Sequence, residues 1–187
     1  MKKTCWMIAV CLLLAAGSVA ADQWYKGSLH MHSLWSDGDA APEVAIAWYL
    51  DHGWDFVCLT DHNVLQQGER FFPISEDRTL REEHVAAIKE RFGEDWVEIR
   101  ESGRRAMRLK TMEELRAHFN APGKFLVMQG EEITTGGGNP HVNGINLVEF
   151  IEPSRKNGMT EIIQRYFDAV AAQAAEHRHI GREGRLG

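Results

Sequence analysis

The six residues 55–60, Asp-Phe-Val-Cys-Leu-Thr, constrain the fold more than any other stretch of the chain. They make an apolar run with no room for a helix, which is the pattern of a short buried strand. Just upstream, Pro42 suits the first turn of a helix, where a missing N–H costs nothing, and Gly53 suits its end. Val44, Ala47, Trp48 and Leu50 are expected to give that helix its apolar side. Before it, residues 24–31 read as another strand, ending in His30-Met31-His32. Strand, helix and strand within about forty residues predict a parallel α/β unit.

Two further strands are expected, at 125–129 (Phe-Leu-Val-Met-Gln) and 141–150, with helices over 111–119 and 160–176. Thr111, with Glu114 three residues on, has the form of a capping box. Ile163, Tyr166, Phe167, Val170 and Ala174 are expected to line the inner side of the last helix. Residues 64–110 read as an insertion, with a charged helical stretch in 75–92 and a hairpin built from 96–99 and 106–109 around Gly103.

A chain of 187 residues suits one domain. Lys2 and Lys3, the apolar stretch 6–16 and the small residues through Ala20 and Ala21 read as an export signal over 1–21, too short to span a bilayer. The expected mature domain, 22–187, is then periplasmic or secreted and has no stable membrane anchor; a retained anchor is the alternative. Removal of the signal leaves Cys58 alone, so no internal disulfide is expected. With 21 basic against 27 acidic residues and a net charge of −6, no broad basic face is available for a nucleic-acid partner.

Metal-type side chains recur at the ends of these strands. His32 and Asp37 follow the first, His62 the second and Glu132 the third. In parallel α/β architectures such ends converge on one face. His30 and His32, two apart on a strand, point to the same side. Imidazole and carboxylate without thiolate suit zinc, manganese or iron. Such a cation lowers the pKa of bound water to about 7 and so supplies hydroxide at neutral pH. Two cations about 3.5–4 Å apart also clamp the attacking and leaving oxygens of a phosphate ester.

The run LHMHSLWSDG (29–38), followed by LTDHN (59–63), resembles the PHP family, named for polymerase and histidinol phosphatase domains, and in particular its secreted or stand-alone phosphoesterases. GEEIT (130–134) and the later His141-Val-Asn-Gly resemble the third block of that family. The resemblance implies a distorted seven-stranded β/α barrel holding up to three divalent metals. It implies that His30 and His32 share one metal with a glutamate that also reaches a second metal held by His141, while Asp37 and His62 serve a third. The family glutamate follows glycine by two, which selects Glu132 over Glu131. Asp61 is expected to support the site rather than ligate. The implied activity is hydrolysis of a small-molecule phosphoester by metal-bound hydroxide. Hydrolysis of an ester or carbamate is the alternative, as is an inactive metal-binding remnant.

The family pattern continues with a strand ending in His-Pro, further β/α units and a late Asp-x-His. Residues 177–187 hold none of these, so the expectation is a partial barrel with its C-terminal strands missing. Plainer readings compete at each site residue. His30 and His32 could be a solvated strand end, Asp37 a turn residue beside Gly38, and His141 a turn histidine after the glycine loop 136–140. His52, His84 and His118 read as surface residues, and Trp35, Trp48 and Trp54 as core or pocket wall.

Overall fold

A computed structural model describes residues 23–136, 140–154 and 158–183, with side chains as far as Glu176. The expected export signal lies outside the described residues. In chain order the elements are β1 (Gly27–Ser28), α1 (Pro42–Asp51), β2 (Phe56–Leu59), β3 (Phe71–Pro73), α2 (Glu82–Phe92), β4 (Ile99–Arg100), β5 (Ala106–Arg108), α3 (Met112–Phe119), β6 (Leu126–Thr134), β7 (His141–Ile145) and α4 (Met159–Glu183).

The main sheet is curled and has the order β1-β2-β6-β7. Its first three strands are parallel, with Val57 opposite Ser28 on one side and opposite Val127 on the other. This is the parallel unit expected from the 55–60 run. The partial (β/α)7 barrel is not what forms. β7 returns antiparallel to β6, pairing Glu132 with Asn143 and Thr134 with His141. The reason lies in the connection: six residues, 135–140, separate the two strands, and a parallel return needs a crossover of a dozen or more. The alternation of strand and helix is broken again by residues 64–110, which build a separate antiparallel sheet of order β3-β5-β4. The fold is therefore a mixed α/β arrangement of two sheets.

The expected hairpin around Gly103 is present as β4 and β5, with Ile99 opposite Met107. β3 was not anticipated. Its Pro73 cannot donate to a ladder, and the strand accordingly sits at a sheet edge. The capping box forms as expected: Glu114 N–H donates to Thr111 Oγ1 while the Glu114 carboxylate accepts from Thr111 N–H at 2.8 Å.

Helices α1 and α3 cover one face of the main sheet through Ile46, Ala47, Leu115 and Phe119 against Met31, Val57, Leu59 and Val127. The apolar side of α1 differs from the expected one. Ala47 is buried, but Val44, Trp48 and Leu50 are exposed, and Glu43 goes inside instead. α2 packs Val85 and Ile88 on Leu34, Trp35, Met107 and Leu109. α4 covers the end of the sheet with Ile162 and Tyr166, and Phe167 is left 59% exposed.

Candidate metal centre

The strand expected over 24–31 is regular only at Gly27–Ser28, and in the extended segment beyond it Met31 is buried in the core while His30 and His32 lie beside Glu132. The segment is tied to the end of β2 by Thr60 N–H donating to Met31 O at 2.9 Å. His62 follows directly and bridges in parallel to Glu132 near the end of β6. His141 opens β7 opposite Thr134. The three parallel strands and their antiparallel neighbour thus deliver all six candidate side chains to one place: His30, His32, Asp37, His62, Glu132 and His141.

Glu132 stands at the centre, its side chain only 9% exposed. Its Oε2 lies 2.7 Å from His32 Nε2, 3.3 Å from His62 Nδ1 and 3.9 Å from His30 Nε2. Oε1 lies 2.7 Å from His141 Nδ1. Asp37 is the exposed partner, with Oδ1 2.8 Å from His32 Nδ1 and Oδ2 3.5 Å from His62 Nε2. Burial pushes the Glu132 carboxyl up, but the contact with His141, the charge of His62 and the contact with His32 outweigh it, and it stays below its ordinary range. Asp37 is likewise held low: desolvation works against it, and His32 and His62 prevail.

Three groups of these residues could hold a metal ion: His30, His32 and Glu132; His32, Asp37 and His62; His62, Glu132 and His141. Within each, one ligand atom per residue lies within 4.8 Å of the others. The groups share side chains. A neutral imidazole has one lone pair, so His32 and His62 each serve one cation at a time.

Hydroxyls that the sequence reading passed over set the rings. His30 Nδ1 lies 2.7 Å from Thr60 Oγ1, and His62 Nδ1 lies 2.5 Å from Thr134 Oγ1. Thr134 Oγ1 donates to Glu132 O at 3.3 Å, so it accepts from His62 Nδ1–H. That leaves the lone pair of His62 on Nε2, facing the Asp37 carboxylate. A proton or a metal cation between the two atoms would satisfy both. Thr60 and Thr134 were legible only as neighbours in LTDHN and GEEIT.

Glu131, the alternative to Glu132, projects to the other face of β6. It is fully buried, accepts from Ile151 N–H at 2.9 Å, and is pushed by burial up to about 7. Asp61 touches none of the six residues through an ion pair and instead accepts from Ser33, Ser36 and Gln66. His84 lies at the start of α2, beside Arg81, and His118 packs on the Trp96 ring, 4.6 Å between centroids. A cavity of about 470 Å³, lined by Tyr25, Phe56, Phe125 and Leu126, lies at the N-terminal ends of β2 and β6, the far end from the histidines. It is not part of this centre, which lies open on the sheet.

No family model matches the chain, and no curated protein matches it.

Proposed function

We propose that the chain is a PHP-type metal-dependent hydrolase acting on a small-molecule phosphoester. The observation that carries the reading is the convergence of four imidazoles on Glu132, two of which also face Asp37, with no lysine or arginine ion-paired to either carboxylate among the described residues. The donor set of nitrogen and oxygen fits zinc, manganese or iron. Glu132 would hold cations through both oxygens, with His30 and His32 on one side and His141 on the other. Asp37, 65% exposed, would close the outer position with His62. A bound cation of this kind supplies Lewis acidity, lowering the pKa of water to about 7 and offsetting charge on a phosphoryl oxygen. Thr134, accepting from His62 Nδ1–H, leaves the lone pair of His62 on Nε2 toward Asp37, and Thr60 orients the His30 ring. His30 and Asp37, 50% and 65% exposed, leave the cluster open to a substrate among the described residues.

Hydrolysis of a carboxylic ester or carbamate is the second reading. It is favoured by the same lack of a basic partner, because a phosphate would gain from an arginine clamp and a neutral carbonyl would not. One assay separates the two: turnover of an aryl phosphate and of an aryl acetate by protein supplied with manganese or zinc. Phosphate turnover that disappears in Glu132→Gln supports the first reading. Acetate turnover alone supports the second, and neither activity in metal-loaded protein contradicts both.

The apolar stretch near the N-terminus fits export to the periplasm or beyond. Among the described residues no helix is long and apolar enough to cross a membrane. N-terminal sequencing of protein from a periplasmic fraction should begin at Ala21 or Asp22; an intact Met1 in membrane-bound material would refute it.

A further inference from the structure

Asp61 lies fully buried beneath the loop that carries Asp37. Its carboxylate accepts four hydrogen bonds: Oδ1 from Ser33 N–H at 2.7 Å and the Ser36 hydroxyl at 2.6 Å, Oδ2 from the Ser33 hydroxyl and the Gln66 amide, each at 2.8 Å. Four donors occupy the lone-pair sites of a carboxylate, so Asp61 has none left for a cation. Three of the four come from residues 33–36.

That loop is tight. Ser36 N–H and Gly38 N–H both donate to Ser33 O at 3.0 Å. A Cβ at Gly38 would strike the backbone of His32 and Ser33, so the turn admits only glycine without moving. The Ser36 hydroxyl has one proton. It lies 2.6 Å from Asp61 Oδ1 and 3.3 Å from Asp37 Oδ1, so Asp61 takes the proton and Asp37 keeps both oxygens for other partners. Those partners are His32 Nδ1 and His62 Nε2.

We propose that Asp61 is a positioning residue: through Ser33 and Ser36 it sets Asp37 opposite His32 and His62, and cation binding at that group depends on it. Glu132 and His141 are placed by the β6–β7 ladder, so the cation position they share does not use the Asp61 side chain. This inference rests on the metal reading above.

The test is a cobalt(II) titration followed by visible absorption and by equilibrium dialysis on the wild type, Asp37→Ala, Asp61→Asn and Ser36→Ala. Asparagine offers an N–H₂ where two donors point, so Asp61→Asn should lose the same part of the cobalt spectrum as Asp37→Ala. The affinity of that part should fall about 10–100-fold, the range for groups that orient ligands. The remaining cobalt should bind as in the wild type. Ser36→Ala removes one bond and guards against misfolding of the aspartate variant; with a wild-type circular dichroism spectrum it should weaken the same part about tenfold. Unchanged cobalt binding in Ser36→Ala or Asp61→Asn overturns the proposal. So does loss, in folded Asp61→Asn, of the cobalt that Asp37→Ala retains. A wild type that binds no cobalt overturns the metal reading itself, and this assignment with it.

Discussion

In and beside the inserted region, five carboxylates are matched by arginine or lysine: Glu98 and, from α3, Glu114 by Arg108, Glu82 and Glu101 by Arg105, Glu94 by Lys89. At the ends of β2 and β6, Asp37 and Glu132 pair only with imidazoles among the described residues. The difference is chemical. Arginine is always charged, so the first set is neutralised within the protein and serves structure. Imidazole, unlike arginine, can offer a lone pair to a cation, so the second set aims nitrogen and oxygen donors at a common place. Charged residues alone do not mark a site; the partner that each one faces does.

The comparison can be broken in four places. The largest effect is expected at Glu132, the carboxylate shared by two of the three groups. Glu132→Gln should weaken cation binding by more than about 100-fold, beyond the range typical of supporting groups, whereas Glu131→Gln on the opposite face should leave it unchanged. Isothermal titration with zinc reads both, and equal losses would show that the facing of the two residues does not matter.

Thr134→Val comes next. Losing the hydroxyl at 2.5 Å from His62 Nδ1 frees the ring and its tautomer. A loss of about 10–100-fold in zinc affinity is expected, with little change in melting temperature. A large drop in melting temperature with normal zinc binding would make Thr134 a structural residue only.

Glu114, on α3, probes the contact with Arg108 of the insertion instead. The hydrogen bond with Arg108 holds its carboxyl down at about 2, and burial opposes this. A lowered folded value contributes stability above the ordinary carboxyl range, and that stability is lost as pH falls from about 4.5 through about 2. Glu114→Gln should therefore cost about 1–2 kcal/mol at pH 7, after discounting for partial exposure, and much less at pH 2. Urea unfolding at both values checks it. Zinc binding should not change.

The smallest effect belongs to Lys89 and Glu94, a surface pair at 2.7 Å whose acidic member is 78% exposed. Lys89→Ala should shift stability by less than about 0.5 kcal/mol and leave metal binding alone. A larger change would mean that the insertion supports the site.

Much of this arrangement was legible in the chain. Residues 55–60 announced β2 because a run so short and apolar has one use, and Thr111 with Glu114 announced the start of α3. His32, Asp37, His62 and Glu132 were readable because each lies at or just beyond the end of an expected strand, and His141, which opens β7, only through the family resemblance. What escaped the sequence was set by partners distant along it. Whether β7 runs parallel or antiparallel depends on the six-residue connection at 135–140, which an expectation of β/α alternation overrode. The inner side of α1 includes Glu43 rather than Trp48 because Trp96, from the insertion, donates to its carboxylate at 3.2 Å. The roles of Thr60, Thr134, Ser33 and Ser36 depend on which ring or carboxylate they meet, and hydroxyl residues look alike in a sequence.

The central claim is that the cluster binds divalent cations through His30, His32 and Glu132. Elemental analysis of purified mature protein, wild type beside a His30→Ala, His32→Ala double variant, tests it most directly. The account predicts zinc, manganese or iron bound to the wild type and a clear deficit in the variant; equal metal content in the two would contradict it.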